Sequence, residues 1–481
     1  MNSTRTSPCL RFSTHALAVS LLAAAAAGCG SSGSTKDAGH DGSPSDGSSS
    51  DGAPDGGSPD GGGDTSAACT TGGSGQLVVA VQGLPAGTTP MIRVAGGSLA
   101  APMVVTPGTP ITVGGAGGYE IEYRRVKVAP AAGGVVGKAF YATADAQSYC
   151  VKNGATTTAT LTYTQEPGSE RLWIGVSDAP TLGNEIGGFK SADIAATGAK
   201  NPDVWKTQHF TGRPAAGAFD SFGNFWVPGG DVVNMYSMAK LAMPGNVAPD
   251  VVLTQPASSP AMFAAFDSNG NLWISRGAPA NTVVRYNAND LGVSGSPTPD
   301  VVLSGSHLMN PAGLAFDKTT QDLWIANEGN GEVVSFFNSR LNASTTDAPD
   351  IVLTAKTAAT APVAMTYGHP NGVAFDQAGT LWVGFEGVLV ALTSAQRAAS
   401  GAVAGPLTVN VSTGTGGFAF DESGGLWMAG NVGTFQRVSK ASLTAGGDVT
   451  PDIVITSSEL GYGESLVLDP SPTWSPLHDW L

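Results

Sequence analysis

A motif returns five times along the C-terminal two thirds of the chain, and its period limits the fold more than any other feature. Its fullest form is Pro311, Gly313, Phe316 and Asp317, followed by Leu323 and Trp324. The same order recurs as Pro214, Phe219, Asp220 and Trp226, then as Pro260, Phe266, Asp267, Leu272 and Trp273. It returns as Pro370, Phe375, Asp376, Leu381 and Trp382, and once more as Phe418, Phe420, Asp421, Leu426 and Trp427. Successive Asp residues lie 47, 50, 59 and 45 residues apart, and each precedes its Trp by six or seven. A period of this size denotes an array of supersecondary units that bury their apolar faces against one another.

The third unit shows what each repeat builds. Residues 313–316 read as a short strand, Asp317 opens a turn, and 323–326 form a second strand. A tight turn over 328–331 leads to a third strand over 332–337, and a Pro-Asp pair at 349 introduces a fourth. Pro-Asp stands before a Val- or Ile-rich run at 202, 249, 299 and 451 as well. Four strands per unit of this length is the size of a β-propeller blade. No amphipathic helix recurs between the strands, which excludes a (β/α) barrel.

The ends set the number of units. Residues 170–213 carry Leu172 and Trp173 but no preceding Phe-Asp strand, whereas Glu464 to Asp469 matches a first strand, 48 residues after Asp421. The two fragments complement each other, and pairing them removes both exposed edges. The expected fold is therefore all-β: an N-terminal β-sandwich followed by a six-bladed propeller closed by the C-terminal strand. Trp474, five residues past Asp469, has no place in this count.

The motif resembles that of the NHL family and of the related streptogramin-lyase-like and gluconolactonase-like propellers. Pro311, Gly313, Phe316, Asp317, Leu323 and Trp324 carry the resemblance in one unit; Pro370, Gly372, Phe375, Asp376, Gly379, Leu381 and Trp382 carry it in the next. It covers about residues 170–481 and implies architecture. It implies no single activity, because such folds serve as enzymes, binders and scaffolds.

The N-terminal region divides into three parts. Residues 1–28 combine Arg5 and Arg11 with an apolar run over 16–27, too short to span a bilayer of about 30 Å. The ending Ala26, Ala27, Gly28, Cys29 resembles the lipidation box of bacterial lipoproteins, which makes Cys29 the expected acyl-bearing residue; ordinary cleavage near the same small residues is the alternative. Residues 29–68 hold Gly, Ser, Pro and seven Asp against Lys36, with no aromatic residue and too little apolar area to offset ordering entropy, and read as a disordered tether. Residues 69–168 alternate short β-branched runs with Gly and Pro turns and read as a sandwich of about seven strands. This stretch resembles a spacer module of secreted bacterial proteins in Val81 to Gly87, in Gly118 with Tyr119, and in Gly154 to Thr164. A carbohydrate-binding sandwich is the alternative. With Cys9 in the leader and Cys29 lipidated, Cys69 and Cys150 are expected to be bonded.

Chemistry is less constrained. A net charge of −15 argues against a nucleic-acid partner. The repeated Asp and Trp residues occur in every unit, as structural residues do: Asp as acceptor for turn N–H groups, Trp as packing between sheets. Function is expected where units differ, at the turns after second strands and the loops entering first strands, which open on one face. These positions hold Asp178, Asp231, Arg276, Asn327, Glu328, Glu386 and Asn431, with His209, His307 and His369. The longest step, from Asp317 to Asp376, places an insert over 354–369 that carries Met365, Tyr367 and His369. Two readings follow. In one, a lipoprotein anchored at the bacterial outer membrane or cell surface uses its propeller to bind a protein, glycan or small molecule, without a cofactor. In the other, Asp178, Asp231, Asn327, Glu328 and Glu386 resemble the oxygen ligands of gluconolactonase-like propellers, which implies calcium or another divalent metal and a hydrolase or lyase at the channel mouth.

Overall fold

The computed structural model describes residues 69–475 except 132–133, 180–182, 355–368, 404–405, 413–415 and 430–431. The leader, Cys29, the tether, Tyr367, Asn431 and most of the insert lie outside the described residues. Those described belong to one compact unit, 61–481. They are almost entirely β-stranded, with only Met238–Ala242, Lys440–Ala445 and two short 3-10 turns helical.

Residues 69–168 form two sheets around a shared core. The five-stranded sheet runs Ile111–Ala116, Thr70–Gln82, Thr156–Gln165, Lys138–Ala144, Val126–Val128; the other runs Met103–Val105, Ile92–Gly96, Gly118–Tyr123, Tyr149–Cys150. Alternation along the strands sends Leu77, Val79, Ile92, Val94, Leu161 and Tyr163 inward. The first and last long strands pair in parallel, Leu77 beside Thr157. Cys69 and Cys150 are bonded, their Cα atoms 5.5 Å apart.

Six further sheets follow. The second combines Ala218–Phe219, Phe225–Gly229, Val232–Tyr236 and Val251–Thr254; the third, Ala261–Phe266, Leu272–Arg276, Thr282–Tyr286 and Val301–Leu303. The fourth runs Pro311–Phe316, Leu323–Asn327, Glu332–Phe336, Ile351–Thr354, and the fifth Gly372–Phe375, Leu381–Phe385, Val388–Leu392, Leu407–Asn410. The sixth holds Phe418–Phe420, Leu426–Ala429, Thr434–Val438 and Ile453–Thr456. The first is composite: Val204–Thr207, Gly183–Lys190 and Arg171–Ala179 accept the C-terminal strand Tyr462–Asp469, with Leu172 opposite Leu468. Neighbouring sheets also bridge in parallel at their outer edges, Leu253 with Gly295, Leu303 with Thr345, Leu353 with Gly401 and Val409 with Gly447. Gly198 of the first unit pairs in the same way with Ile455 of the sixth.

The repeated residues account for this regularity. Asp267 Oδ1 accepts the N–H groups of Asn269 and Asn271, closing the turn, while Oδ2 accepts from Trp273 Nε1 at 2.9 Å. The Asp–Trp bond recurs at 220–226, 376–382 and 421–427. Held in this way, the indoles meet the Phe of the next sheet, Trp226 on Phe266, Trp273 on Phe316 and Trp382 on Phe420. Asp317, seven residues before its Trp, takes Arg397 Nη2 instead at 2.7 Å, and that guanidinium lies over the Trp324 ring.

The motif glycine has a steric cause at Gly313. First strands of adjacent sheets touch backbone to backbone: Gly313 N donates to Asn371 O (2.9 Å), Ala264 N to Ala216 O (2.9 Å), and Gly417 N to Glu464 O (3.0 Å). A Cβ on Gly313 would stand 2.8 Å from the Asn371 oxygen.

Candidate functional site

Where the first strands begin, one residue set from each sheet surrounds a cavity of about 380 Å³. Glu464, Arg213, Met262, Glu328, Asn371 and Gly416 come from the first to the sixth sheet respectively. Pro260, Ala261 and Phe263 add an apolar wall. The polar groups are partly organised already. Arg213 Nη1 lies 3.3 Å from Glu464 Oε1 and Nη2 3.7 Å from Asp178. Ser177 Oγ donates to Glu464 at 2.5 Å. Glu328 accepts from Asn310 Nδ2 at 2.6 Å, and Asn310 N donates to Asn281 Oδ1 at 2.7 Å. Burial raises the Glu328 pKa, with nearby His369 acting in the opposite direction and Glu464 adding to the rise. Burial thus disfavours the charged form of this carboxyl, which lines a space large enough for a small ligand or one projecting side chain.

A second cavity lies at the opposite ends of the first strands, lined by Phe266, Phe316, Phe375 and Phe420 together with Pro472 and Trp474, with Trp474 against the Phe420 ring. Thr473 N donates to Glu422 Oε2 at 2.6 Å. Trp474, which has no place in the motif count, thus packs at the ends of the first strands opposite to Arg213, Glu328 and Glu464.

The expected site residues divide. Glu328 lines the cavity, Asp178 reaches its rim through Arg213, and His369 Nδ1 donates to the Glu328 carbonyl. Asp231 bonds Thr211 Oγ1 and Glu386 is exposed. His307 pairs with Glu332 (2.9 Å), and the His209 carbonyl accepts from Asn234. Arg276 turns inward, donating to Gln255 Oε1 and the Tyr286 hydroxyl at 2.6 Å. Asn327 is fully buried, with neither amide atom bonded among the described residues. Asp178, Asp231 and Glu328 of the divalent-ion set bond separate partners, Arg213, Thr211 and Asn310. Among the described residues no group of three or more His, Cys, Asp or Glu is placed to hold a metal. Arg213, Asn371 and Glu464 were missed. Position relative to Pro214 and Pro370 could have found the first two, since each flanks the start of a first strand.

No protein-family model and no curated protein matches the chain. Solved structures of low identity do. A protein of unknown function from Bacteroides caccae is 12% identical, over 62% of this chain and 98% of that one, with a TM-score of 0.43. A nidogen/laminin complex gives the same identity, coverages and score. A putative gluconolactonase is 15% identical over 55% of this chain and 82% of that one, with a TM-score of 0.36. These are similarities of a β-sheet-rich, propeller-like domain at low identity.

Proposed function

We propose that residues 169–481 are a six-bladed propeller closed by Tyr462–Asp469, carried behind a β-sandwich over 69–168, and that this propeller binds a ligand at its open mouth. The ring reading is supported by the edge bridges that join the second sheet in turn to the sixth, and the sixth back to the first at Gly198 and Ile455. The binding reading rests on one observation: the 380 Å³ cavity to which all six sheets contribute, with Arg213, Glu328 and Glu464 directed to it. A rigid scaffold presenting differing loop residues around a concavity is the usual form of a binding site. We assign the whole to the bacterial envelope, held through acylated Cys29 and a tether over 30–68, on the sequence Ala26, Ala27, Gly28, Cys29. The partner is a protein, glycan or small molecule. The cavity's donors and acceptors serve recognition, and nothing in their arrangement singles out a hydrolase or lyase.

The test is a thermal-shift screen of residues 69–481 against amines, carboxylates and oligosaccharides, followed by calorimetry of hits on Glu328→Gln and Arg213→Met. Either substitution is expected to weaken binding by about tenfold, the effect of one charge-assisted hydrogen bond. A hit whose affinity is unchanged in both variants places the ligand elsewhere. Intact mass of Cys29-containing peptide from native membranes tests the anchor, and an unmodified thiol refutes it.

A further inference from the structure

The five continuous repeats satisfy their motif Asp from within the array: turn N–H groups close on it, and a Trp or Arg takes the remaining oxygen. The composite sheet lacks this arrangement. Asp469 stands in the Asp position, yet the chain leaves the array there, and Trp173 Nε1 has no hydrogen-bond partner among the described residues. The group that meets Asp469 comes from the N-terminal sheets. Arg125 Nη2 bonds Asp469 Oδ1 and also Glu166 Oε2 at 2.6 Å, with Arg125 Nε 2.7 Å from Glu166 Oε1. All three side chains are at most 2% exposed.

Two more contacts converge on the same junction. Lys127 Nζ, two residues along the strand edge, donates to Ser471 Oγ at 3.2 Å and to the carbonyls of Pro472 (2.7 Å) and Ser475 (2.5 Å). It thereby fixes the segment that covers the opposite ends of the first strands. Val135 and Val136 enter the apolar core shared by Leu172, Ile174, Leu466 and Leu468 of the first sheet and Ile455 of the sixth. Val136 N also donates to Ser191 Oγ at 3.3 Å.

We propose that the N-terminal sheet domain is the clasp of the ring, supplying through Arg125, Lys127, Val135 and Val136 the contacts that hold the C-terminal strand in the first sheet. It is an intramolecular partner of the composite sheet rather than the spacer its sequence resembles. The inference rests on the ring reading above. A buried carboxylate deprived of its cation is strongly destabilised, so strand Tyr462–Asp469 depends on a residue more than three hundred positions earlier.

Hydrogen exchange of residues 69–481, read peptide by peptide, tests it. Arg125→Met is expected to raise exchange of Tyr462–Asp469 and its partner Arg171–Ala179 by about tenfold or more, leaving the third and fourth sheets protected. Asp469→Asn is expected to expose the same strands, and the double variant to be no worse than the poorer single. Unchanged protection of Tyr462–Asp469 in Arg125→Met overturns the clasp, as does equal loss across all sheets. Should Arg125→Met not fold, Lys127→Met serves, because Lys127 Nζ bonds Ser471, Pro472 and Ser475 of the covering segment and lies outside the buried ion cluster. It is expected to speed proteolysis within 471–475 and the exchange of Tyr462–Asp469, and wild-type rates in both would reject the proposal. Deletion from Glu464 onward separates the two readings. Loss of protection on deletion without loss in Arg125→Met leaves the ring and refutes the clasp, while a deletion that changes nothing refutes the ring.

Discussion

Asp317 and Asp267 occupy the same place in their units and reach stability by different partners. At Asp267, six residues before Trp273, the indole N–H closes the turn from within the unit. The extra residue before Trp324 withdraws that donor, and Arg397 from the following unit replaces it. The spacing difference is legible in the sequence, but the substitute is not, because nothing local connects 397 with 317. Asp317 is 4% exposed, so removing its cation leaves a buried charge. Arg397→Met is therefore expected to cost about 3 kcal/mol, read by denaturant unfolding, against under about 1 kcal/mol for removing the half-buried pair Arg93 and Glu122. Equal costs would mean that Arg397 acts only by covering Trp324 and Phe375. Glu185 gives a second test at this scale. It is fully buried in the first sheet, and neither carboxyl oxygen has a partner among the described residues. Burial, and then Glu459, raise its pKa from 4.5 to about 8. The folded protein keeps a proton that the unfolded chain releases above its ordinary pKa. Stability from this group is thus full below pH 4.5 and is lost as pH rises through about 8. Glu185→Gln is expected to flatten that decline by a few kcal/mol in unfolding measured from about pH 5 to 9, and parallel curves would remove Glu185 as the cause.

At the scale of elements, the second and third strands of each unit were readable because a Leu-Trp pair and a β-branched run recur in phase. The fourth sheet's Leu323–Asn327 and Glu332–Phe336 fall where the repeat sets them. What escaped was short or weakly patterned. Val126–Val128, Lys138–Ala144 and Tyr149–Cys150 are Ala-rich or brief, and they become strands through neighbours rather than through propensity. The two-residue edge strands Gly198–Ala199, Gly401–Ala402 and Gly447–Asp448 have no period at all, since each is defined by the sheet it covers. Glycines in the first strands distinguish close approach from turn geometry. A Cβ on Gly372 would collide with the Gly416 carbonyl and approach Phe418 Cε1 to 2.8 Å, whereas Gly379 is in open space at φ +80°. Gly372→Ala is expected to cost about 3 kcal/mol, by overpacking against backbone that cannot retreat. Gly379→Ala is expected to cost about 1 kcal/mol, from the left-handed conformation alone. Reversal of that order, measured by thermal melting of both variants, would show that the inner strands are free to separate.

For the whole molecule, the sequence separated a sandwich from an array by a change of pattern near residue 168, and nothing in that pattern indicated that the two are joined. The joint is made by single residues, Arg125 on Asp469 and Lys127 on the segment after it, whose chemistry carries no repeat or motif. The mouth was only partly readable for the same reason: Glu328 stands at a predicted turn, but Glu464 and Arg213 become a pair only when the C-terminal strand enters the first sheet. The consequence is thermodynamic. Two domains connected by an exposed linker unfold separately, whereas a buried ion cluster and a shared apolar core couple them. Calorimetry of residues 69–481 is therefore expected to show one transition. The Cys69–Cys150 bond closes a loop of 81 residues within the N-terminal sheets and is worth roughly 4 kcal/mol by chain entropy. If the domains are coupled, reducing it lowers that single transition, and the array melts earlier although it contains no cysteine. Separate domains give the opposite pattern: two transitions, of which reduction moves one and leaves the array where it was. Trp fluorescence distinguishes the cases without ambiguity, because all the tryptophans of 69–475 lie in the array from Trp173 onward. A reductant-dependent shift of that signal is the expected result, and a signal indifferent to reductant would show that the sheets of 69–168 merely rest against the array.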